Sequence, residues 1–486
     1  MCSMYNQNRI TSYLLKHREC APISFHMPGH KGAALYKRFG YEQFLNHMMD
    51  CDITEIEGAD NLFQPESIIK STMDLYKELY EVRKSYLLVN GTSCGLIAAI
   101  MASVKSNGKL IMARNCHKSV FNALTLGNIS PVYAYPELID EFGISGEILP
   151  EEVERLLIQN PDAEAVILPS PNYYGICSDV EKIAEIVHRS GKILIIDQAH
   201  GAHLKFFNSL NRGLPSLPRP AEECGADIVV NSIHKTLASF TQSAIMNVVT
   251  DQVDLGILED KLQTVESTSP SYLLMGSLDI NAELMKRNGN ELINGWREHL
   301  ISFYKEAERI PGLKIVNTGA NMDWTKINLD MSQCGISGHE LEKLLMEKNI
   351  FVELVTGNIV MCMTGIGNVQ RDYDYLLETL RNISNLNIEY QKSENKSGKD
   401  NFAELVKMIP KQDKLYKIPV EKQYMILDHA QGHICASSII PYPPGIPLIC
   451  PGEIISKEAV TYVKALRAAG EKVMGITENN QVVVGK

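Results

Sequence analysis

The sequence predicts an α/β protein: a large domain on a mostly parallel sheet, a smaller α/β domain, and a C-terminal domain. Three observations predict it. Short apolar runs alternate with amphipathic stretches from about Tyr86 to Asn231, which is the pattern of βαβ units. A long helical stretch, about Ala282–Arg309, then leads away from that region. Finally, the polar, aperiodic run Gln391–Asp400 sets residues 401–486 apart.

Residues 1–60 form an N-terminal arm, with a helix near Ile10–Lys16 and a Pro28-Gly29 turn within Phe25–Gly32. The large domain spans 61–281. Residues 66–82 have helical spacing, and Leu87–Val89 is a short strand that feeds a helix over Ser93–Val104 through a glycine turn. Strands follow at Lys109–Ala113, Ala165–Pro169, Ile193–Ile196 and Asp227–Asn231, with helices at Glu151–Gln159 and Asp179–Ser190. The small domain spans 282–390, with strands Lys326–Leu329 and Ile359–Met363 and helices Gly338–Lys348 and Arg371–Ile383. Residues 391–400 are a linker. Residues 401–486 are the C-terminal domain, rich in Pro and Gly around Tyr442–Pro447.

Composition narrows the function classes. The 486 residues carry a net charge of −11, which argues against a nucleic-acid partner. The 11 cysteines show neither a C-x-x-C pair nor zinc spacing, so reduced thiols in a cytoplasmic protein and no metal site are expected. The first residues lack the apolar core of a signal peptide, and no apolar run is long enough to span a bilayer.

Four pieces then occur in a telling order. Gly91-Thr-Ser-Cys-Gly95 lies between a strand and a helix, where backbone N–H groups and the hydroxyls of Thr92 and Ser93 favour an anion. The turn also suits a plain strand-to-helix connection. His117 follows a strand and offers a planar ring, or a structural helix start. Asp197 ends the apolar strand Ile193-Leu-Ile-Ile196, where ligands of open α/β sheets bind; it equally suits a helix cap. Lys235, in Ser232-Ile-His-Lys235, is a lysine that burial would free of its proton. Cradle, planar ring, carboxylate and lysine are what a pyridoxal phosphate (PLP) enzyme needs from its protein.

The chain resembles the arginine/lysine/ornithine decarboxylase family of fold-type-I PLP enzymes, in particular its shorter bacterial members. The matching stretches include Phe25-His-Met-Pro-Gly-His-Lys31, Gly91-Thr-Ser93, Arg114-Asn-Cys-His-Lys-Ser119, Asp197-Gln-Ala-His-Gly201 and Ser232-Ile-His-Lys235. Ser267-Thr-Ser-Pro-Ser-Tyr-Leu273 and Tyr442–Glu453 also match. The resemblance implies an aspartate aminotransferase-like large domain. It implies that Lys235 carries the cofactor as an aldimine, that Asp197 partners the ring nitrogen, and that His117 stacks on the ring. Ala199 would pack on the other ring face with His200 beside it, and Thr92, Ser93, Ser232 and His234 would contact the phosphate. Thr268 would reach a neighbouring subunit, which implies a homodimer or larger homo-oligomer. The implied reaction removes CO2 from a basic amino acid, arginine first, then lysine or ornithine. A different amino acid or reaction on the same fold, or a catalytically silent homologue, is the alternative.

Several acidic positions of the shorter members are changed. Gln198 stands where they usually have Glu, Asn61 and Phe63 where they have Asp and His, Val355-Thr356 where they have Ser-Asp, and Asn368 where they have Asp. Either the substrate has changed or these are solvated positions that drifted. Glu353 and Asp60 remain to recognise a basic tail. His26, His30 and Lys31 suggest a metal or phosphate, or else a turn that orders the arm.

Overall fold

The computed structural model describes residues 9–208, 216–391, 410–412, 415–416, 418–442, 445–468 and 472–486. The linker expected at 391–400 therefore lies outside the described residues, except Gln391, and so do Pro443 and Pro444.

A seven-stranded sheet forms the centre. Its strands are β1 (Lys84–Leu88), β2 (Lys109–Ala113), β3 (Ser130–Ala134), β4 (Ala163–Pro169), β5 (Ile193–Asp197), β6 (Ile228–Asn231) and β7 (Ala244–Val248). The spatial order is β1-β7-β6-β5-β4-β2-β3. The pairs from β6 across to β3 are parallel, and only β7 runs antiparallel to both its neighbours. Strands β2 and β4–β7 are buried almost throughout, as strands of a sheet covered on both faces must be.

Helix α1 (Gly91–Ser103) packs tightly against this sheet. A Cβ on Gly95 would sit 2.6 Å from the Leu88 Cδ1 and 2.9 Å from the Val230 Cγ1, so only glycine lets the helix come so close. Helix α2 (Lys118–Gly127) follows β2 and is capped by the His117 side chain. Helix α3 (Ile233–Thr236) is one turn after β6 and carries Lys235.

Helix α4 (Tyr272–Ala307) begins ten residues before the predicted Ala282 start. Ser271 caps it, accepting from the Leu274 N–H at 3.4 Å. Its first turns pack on the helix Ile68–Tyr80, where Tyr76 Oη donates to the Leu278 carbonyl at 2.9 Å. Beyond it, a four-stranded antiparallel sheet contains β8 (Lys314–Ile315), β9 (Lys326–Asp330), β10 (Leu354–Thr356) and β11 (Ile359–Met363), in the order β8-β9-β11-β10. The arm joins this part of the chain: Ile23–Phe25 pairs in parallel with Ile350–Val352.

The Pro28-Gly29 turn is wedged between the lysine-bearing turn and the segment after β11. Gly29 N–H donates to the His234 carbonyl at 2.7 Å, and Ile366 N–H donates to the Thr236 carbonyl at 3.0 Å. Gly367 N–H closes the ring by donating to the Gly29 carbonyl at 3.0 Å. A Cβ on Gly29 would lie 2.3 Å from the Thr236 carbonyl carbon, and one on Gly367 would lie 2.2 Å from the His30 oxygen. The arm is thus ordered against both sheets. Among the described residues no cluster of three or more His, Cys, Asp or Glu is placed to hold a metal.

The C-terminal region has its own small core, with Leu427, Cys435, Ile439, Ile449, Val463, Val482 and Val484. Strands Lys422–Ile426 and Gln481–Gly485 pair antiparallel beside the helix Lys457–Ala468. No described helix is long and apolar enough to cross a membrane.

Candidate active site

The carboxyl ends of β4, β5 and β6, together with the start of α1, open onto a cavity of about 660 Å³. From the central sheet it takes Thr92, Ser93, His117, Asp197, Ala199, His200, Ser232, His234 and Lys235. Val352, Glu353 and Leu354 close it from the four-stranded-sheet side, and His26 and Met27 from the arm. Ten residues expected at the site therefore meet in one place, although they span positions 92 to 353.

Lys235 Nζ sits 2.9 Å from His200 Nε2 and 5.9 Å from the Tyr173 ring centroid. Burial lowers the pKa of this amine, helped by the Lys326 charge and opposed by Asp197 and Glu353. Asp197 is buried at the end of β5. Its Oδ1 accepts from the Ala199 N–H at 3.1 Å, and burial raises its pKa against the pull of Lys235. Such a carboxylate calls for a cationic partner in the cavity.

The histidines are held neutral. Burial, with Lys235 and Lys118 nearby, lowers His117 to about 4. Its Nδ1 accepts from the Ser119 N–H at 3.3 Å, which orients the ring as the cap of α2. His234 is lowered to about 4, mainly by burial, and its Nδ1 donates to the Ser243 carbonyl at 2.9 Å. His200 is lowered well below its ordinary value by burial and by Lys235, and the Tyr173 ring lies 4.7 Å from its own. Among the described residues the buried His200 Nδ1 has no partner. At the cradle, the Thr92 and Ser232 hydroxyls meet at 3.1 Å.

Sequence reasoning missed what lies beneath His200. Lys326, at the start of β9, is fully buried and donates to the His200 carbonyl and, at 2.6 Å, to Asp323 Oδ2. His203 Nε2 lies 3.2 Å from Asp323 Oδ1. Burial works against the Asp323 anion, but Lys326 and His203 overcome it and hold its pKa low. A lysine inside an apolar strand was the available signal.

Two expected residues lie elsewhere. The Asp60 carboxylate does not line this cavity; it accepts from the N–H groups of Asn61, Glu66, Ser67 and Ile69 at 2.9–3.0 Å. Burial works against that charge, but the backbone bonds hold its pKa at about 2. Thr268 does not line the cavity either; it sits with Ser267 and Ser269 on an exposed stretch.

The changed acidic positions also lie outside the cavity. Gln198 is not solvated, as drift would require: it is 1% exposed. It points into a closed network, donating to Glu222 Oε2 at 2.8 Å and Asn231 Oδ1 at 3.0 Å and accepting from the Ala221 N–H at 2.8 Å. Asn231 and Asn247 both donate to Glu222 Oε1 at 2.8 Å, and Ser85 donates to Asn247 at 2.7 Å. Asn368 is also buried and donates to the Ser24 carbonyl and to Asp372 Oδ2, each at 3.1 Å. An acid at either position would face a second carboxylate.

An anion cradle at a helix start, a buried carboxylate in want of a cation and a desolvated lysine fit PLP in size and charge. Fold and cavity together define a fold-type-I PLP enzyme. Residues 9–328 match the family described as Orn/Lys/Arg decarboxylase, major domain, and residues 396–484 match its C-terminal domain. The chain belongs to the Orn/Lys/Arg decarboxylase family and is a PLP-dependent amino-acid decarboxylase. It is 33% identical over 478 residues to an arginine decarboxylase of Bacillus subtilis (strain 168), covering 95% of this chain and 94% of that one. An arginine decarboxylase of Halalkalibacterium halodurans is 31% identical over 488 residues, with 97% and 96% covered. In fold, the constitutive lysine decarboxylase of E. coli superposes with a TM-score of 0.73 at 21% identity, covering 98% of this chain and 81% of that one.

Proposed function

We propose that this enzyme decarboxylates arginine, with lysine and ornithine as poorer substrates, and releases the amine and CO2. The observation that carries this is Glu353, the one carboxylate besides Asp197 among the residues that line the cavity. Its Oε2 accepts from the Met27 N–H at 2.8 Å, which holds the group in place for a cationic tail. A guanidinium matches a fixed carboxylate better than an ammonium does. The arginine decarboxylases among the relatives point the same way.

When bound, PLP supplies an electron sink for the pair left behind as CO2 departs. Thr92, Ser93, Ser232 and His234 would hold its phosphate, and Asp197 would keep the ring nitrogen protonated. His117 and Ala199 would flank the ring. Lys235, whose amine burial desolvates, would be the residue that holds the cofactor covalently. Lys235, with His200 Nε2 2.9 Å from its Nζ, would return a proton to the substrate Cα. Thr268, on the exposed Ser267–Ser269 stretch, would reach a neighbouring subunit's phosphate in a cytoplasmic homodimer. Asp60 serves as a local cap.

The test is amine and CO2 release from a panel of amino acids, followed by Glu353→Gln. Arginine should give the highest kcat/KM, and Glu353→Gln should lower it about 100-fold, mostly through KM. A substrate without a cationic tail turned over faster would overturn the assignment.

A further inference from the structure

Arg114 begins the turn after β2, three residues before His117, yet it does not line the PLP cavity. Its guanidinium reaches the C-terminal region instead. Nε donates to Glu453 Oε1 at 3.1 Å and Nη2 to Glu453 Oε2 at 3.0 Å. Nη1 donates to the Pro447 carbonyl at 2.6 Å and Nη2 to the Leu448 carbonyl at 3.0 Å. The same guanidinium lies 5.4 Å from the Phe121 ring centroid and 5.2 Å from that of Tyr133. Phe121 belongs to α2, the helix that His117 caps.

Glu453 has a side chain only 1% exposed, and its Oε2 also accepts from the Cys450 N–H at 2.7 Å. The turn from Pro447 to Glu453 is therefore organised around a cation that the central sheet supplies. Removing either partner leaves a buried charge unpaired. The backbone between Arg114 and His117 has little slack. Arg114 N–H is bonded to the Ala134 carbonyl at 2.8 Å and Cys116 N–H to the Ala113 carbonyl at 3.1 Å. The Cys116 side chain is wholly buried.

We propose that Arg114 and Glu453 are positioning residues: through them, docking of the C-terminal region sets the place of His117 and hence the grip on PLP. The inference rests on the reading of His117 as the ring-facing residue.

The test is a double-mutant cycle on the full-length dimer or monomer as purified. PLP affinity is read by absorbance titration of the apo-protein, and folding by near-ultraviolet circular dichroism. Arg114→Lys and Glu453→Gln should each weaken PLP binding about tenfold, shift the absorbance of the bound cofactor, and lower kcat more than KM. Combined with His117→Asn, neither should add a further loss, because the two residues act through that ring. Additive losses, or PLP affinity within twofold of wild type with only a lower melting temperature, would overturn the proposal. If Arg114→Lys does not fold, the Glu453→Gln cycle with His117→Asn decides alone. A wild-type protein that takes up no PLP would instead defeat the reading of the site, and this inference with it.

Discussion

Two buried polar regions lie back to back along the Asp197–His200 stretch, and they are built on opposite rules. On one side Gln198 joins Glu222, Asn231, Asn247 and Ser85 in a network of bonds between 2.7 and 3.0 Å. On the other, among the described residues, Asp197 accepts from one N–H, and the His200 Nδ1 has no partner. Buried polar groups are normally satisfied, and orphans are costly. The satisfied side holds the fold. The unsatisfied side is left for a ligand to complete.

The largest effect should come from breaking the open side. Lys235→Ala should cut turnover at least about 10³-fold, while the melting temperature of the apo-protein stays the same or rises, since a partly buried, desolvated amine is removed. A variant that loses stability in step with activity would show that Lys235 belongs to the scaffold.

The closed side should respond in the reverse manner. Gln198→Glu places a second carboxylate against Glu222, so one of the two must hold a proton in the folded state. The folded pKa of the pair is then raised above the unfolded value. The variant is close to wild type below the unfolded pKa and loses stability as pH rises, by about 3 kcal/mol at neutral pH. Its choice among arginine, lysine and ornithine should not change. Urea denaturation at several pH values, with the substrate panel alongside, checks both halves; a shifted preference would join the two regions.

The smallest effect sharpens the contrast through pH alone. His117 and His234 are lowered to about 4, chiefly by burial, whereas the network around Gln198 contains no histidine. Between 6.5 and 4 the unfolded chain binds more protons at these rings than the folded one. Their contribution is complete above 6.5 and is lost as pH falls toward 4. The urea midpoint of the apo-protein should therefore decline over that window, and less steeply in His117→Asn. Equal slopes in the two proteins would remove His117 from the account.

Much of the cavity was legible because each of its parts follows a strand in sequence. Thr92, His117, Asp197 and Lys235 all sit at strand-to-helix junctions, where local pattern and chemistry coincide. Glu353 joined them only through resemblance. Lys326 was missed because its partner, the His200 carbonyl, lies 126 positions away and on another sheet. The roles of Gln198 and Asn368 were equally hidden. Whether a changed acid faces solvent, substrate or another carboxylate depends on which way the side chain points. Strand β7 was overlooked too, since an antiparallel return breaks the βαβ rhythm on which the prediction rested. The early start of α4 was masked by Gly276 and Ser277, which interrupt the apolar period near its beginning.

The junction of Gly29, Gly367 and the Thr236 backbone has a consequence for how such an enzyme diverges. Three separate stretches of chain touch there main chain to main chain, so the spacing between them is set by peptide units alone. Side chains can be exchanged around the cavity to suit a new amino acid, but this seam offers nothing to exchange. Substrate choice can wander across the pocket wall while the distance from the lysine-bearing turn to that wall is inherited unchanged.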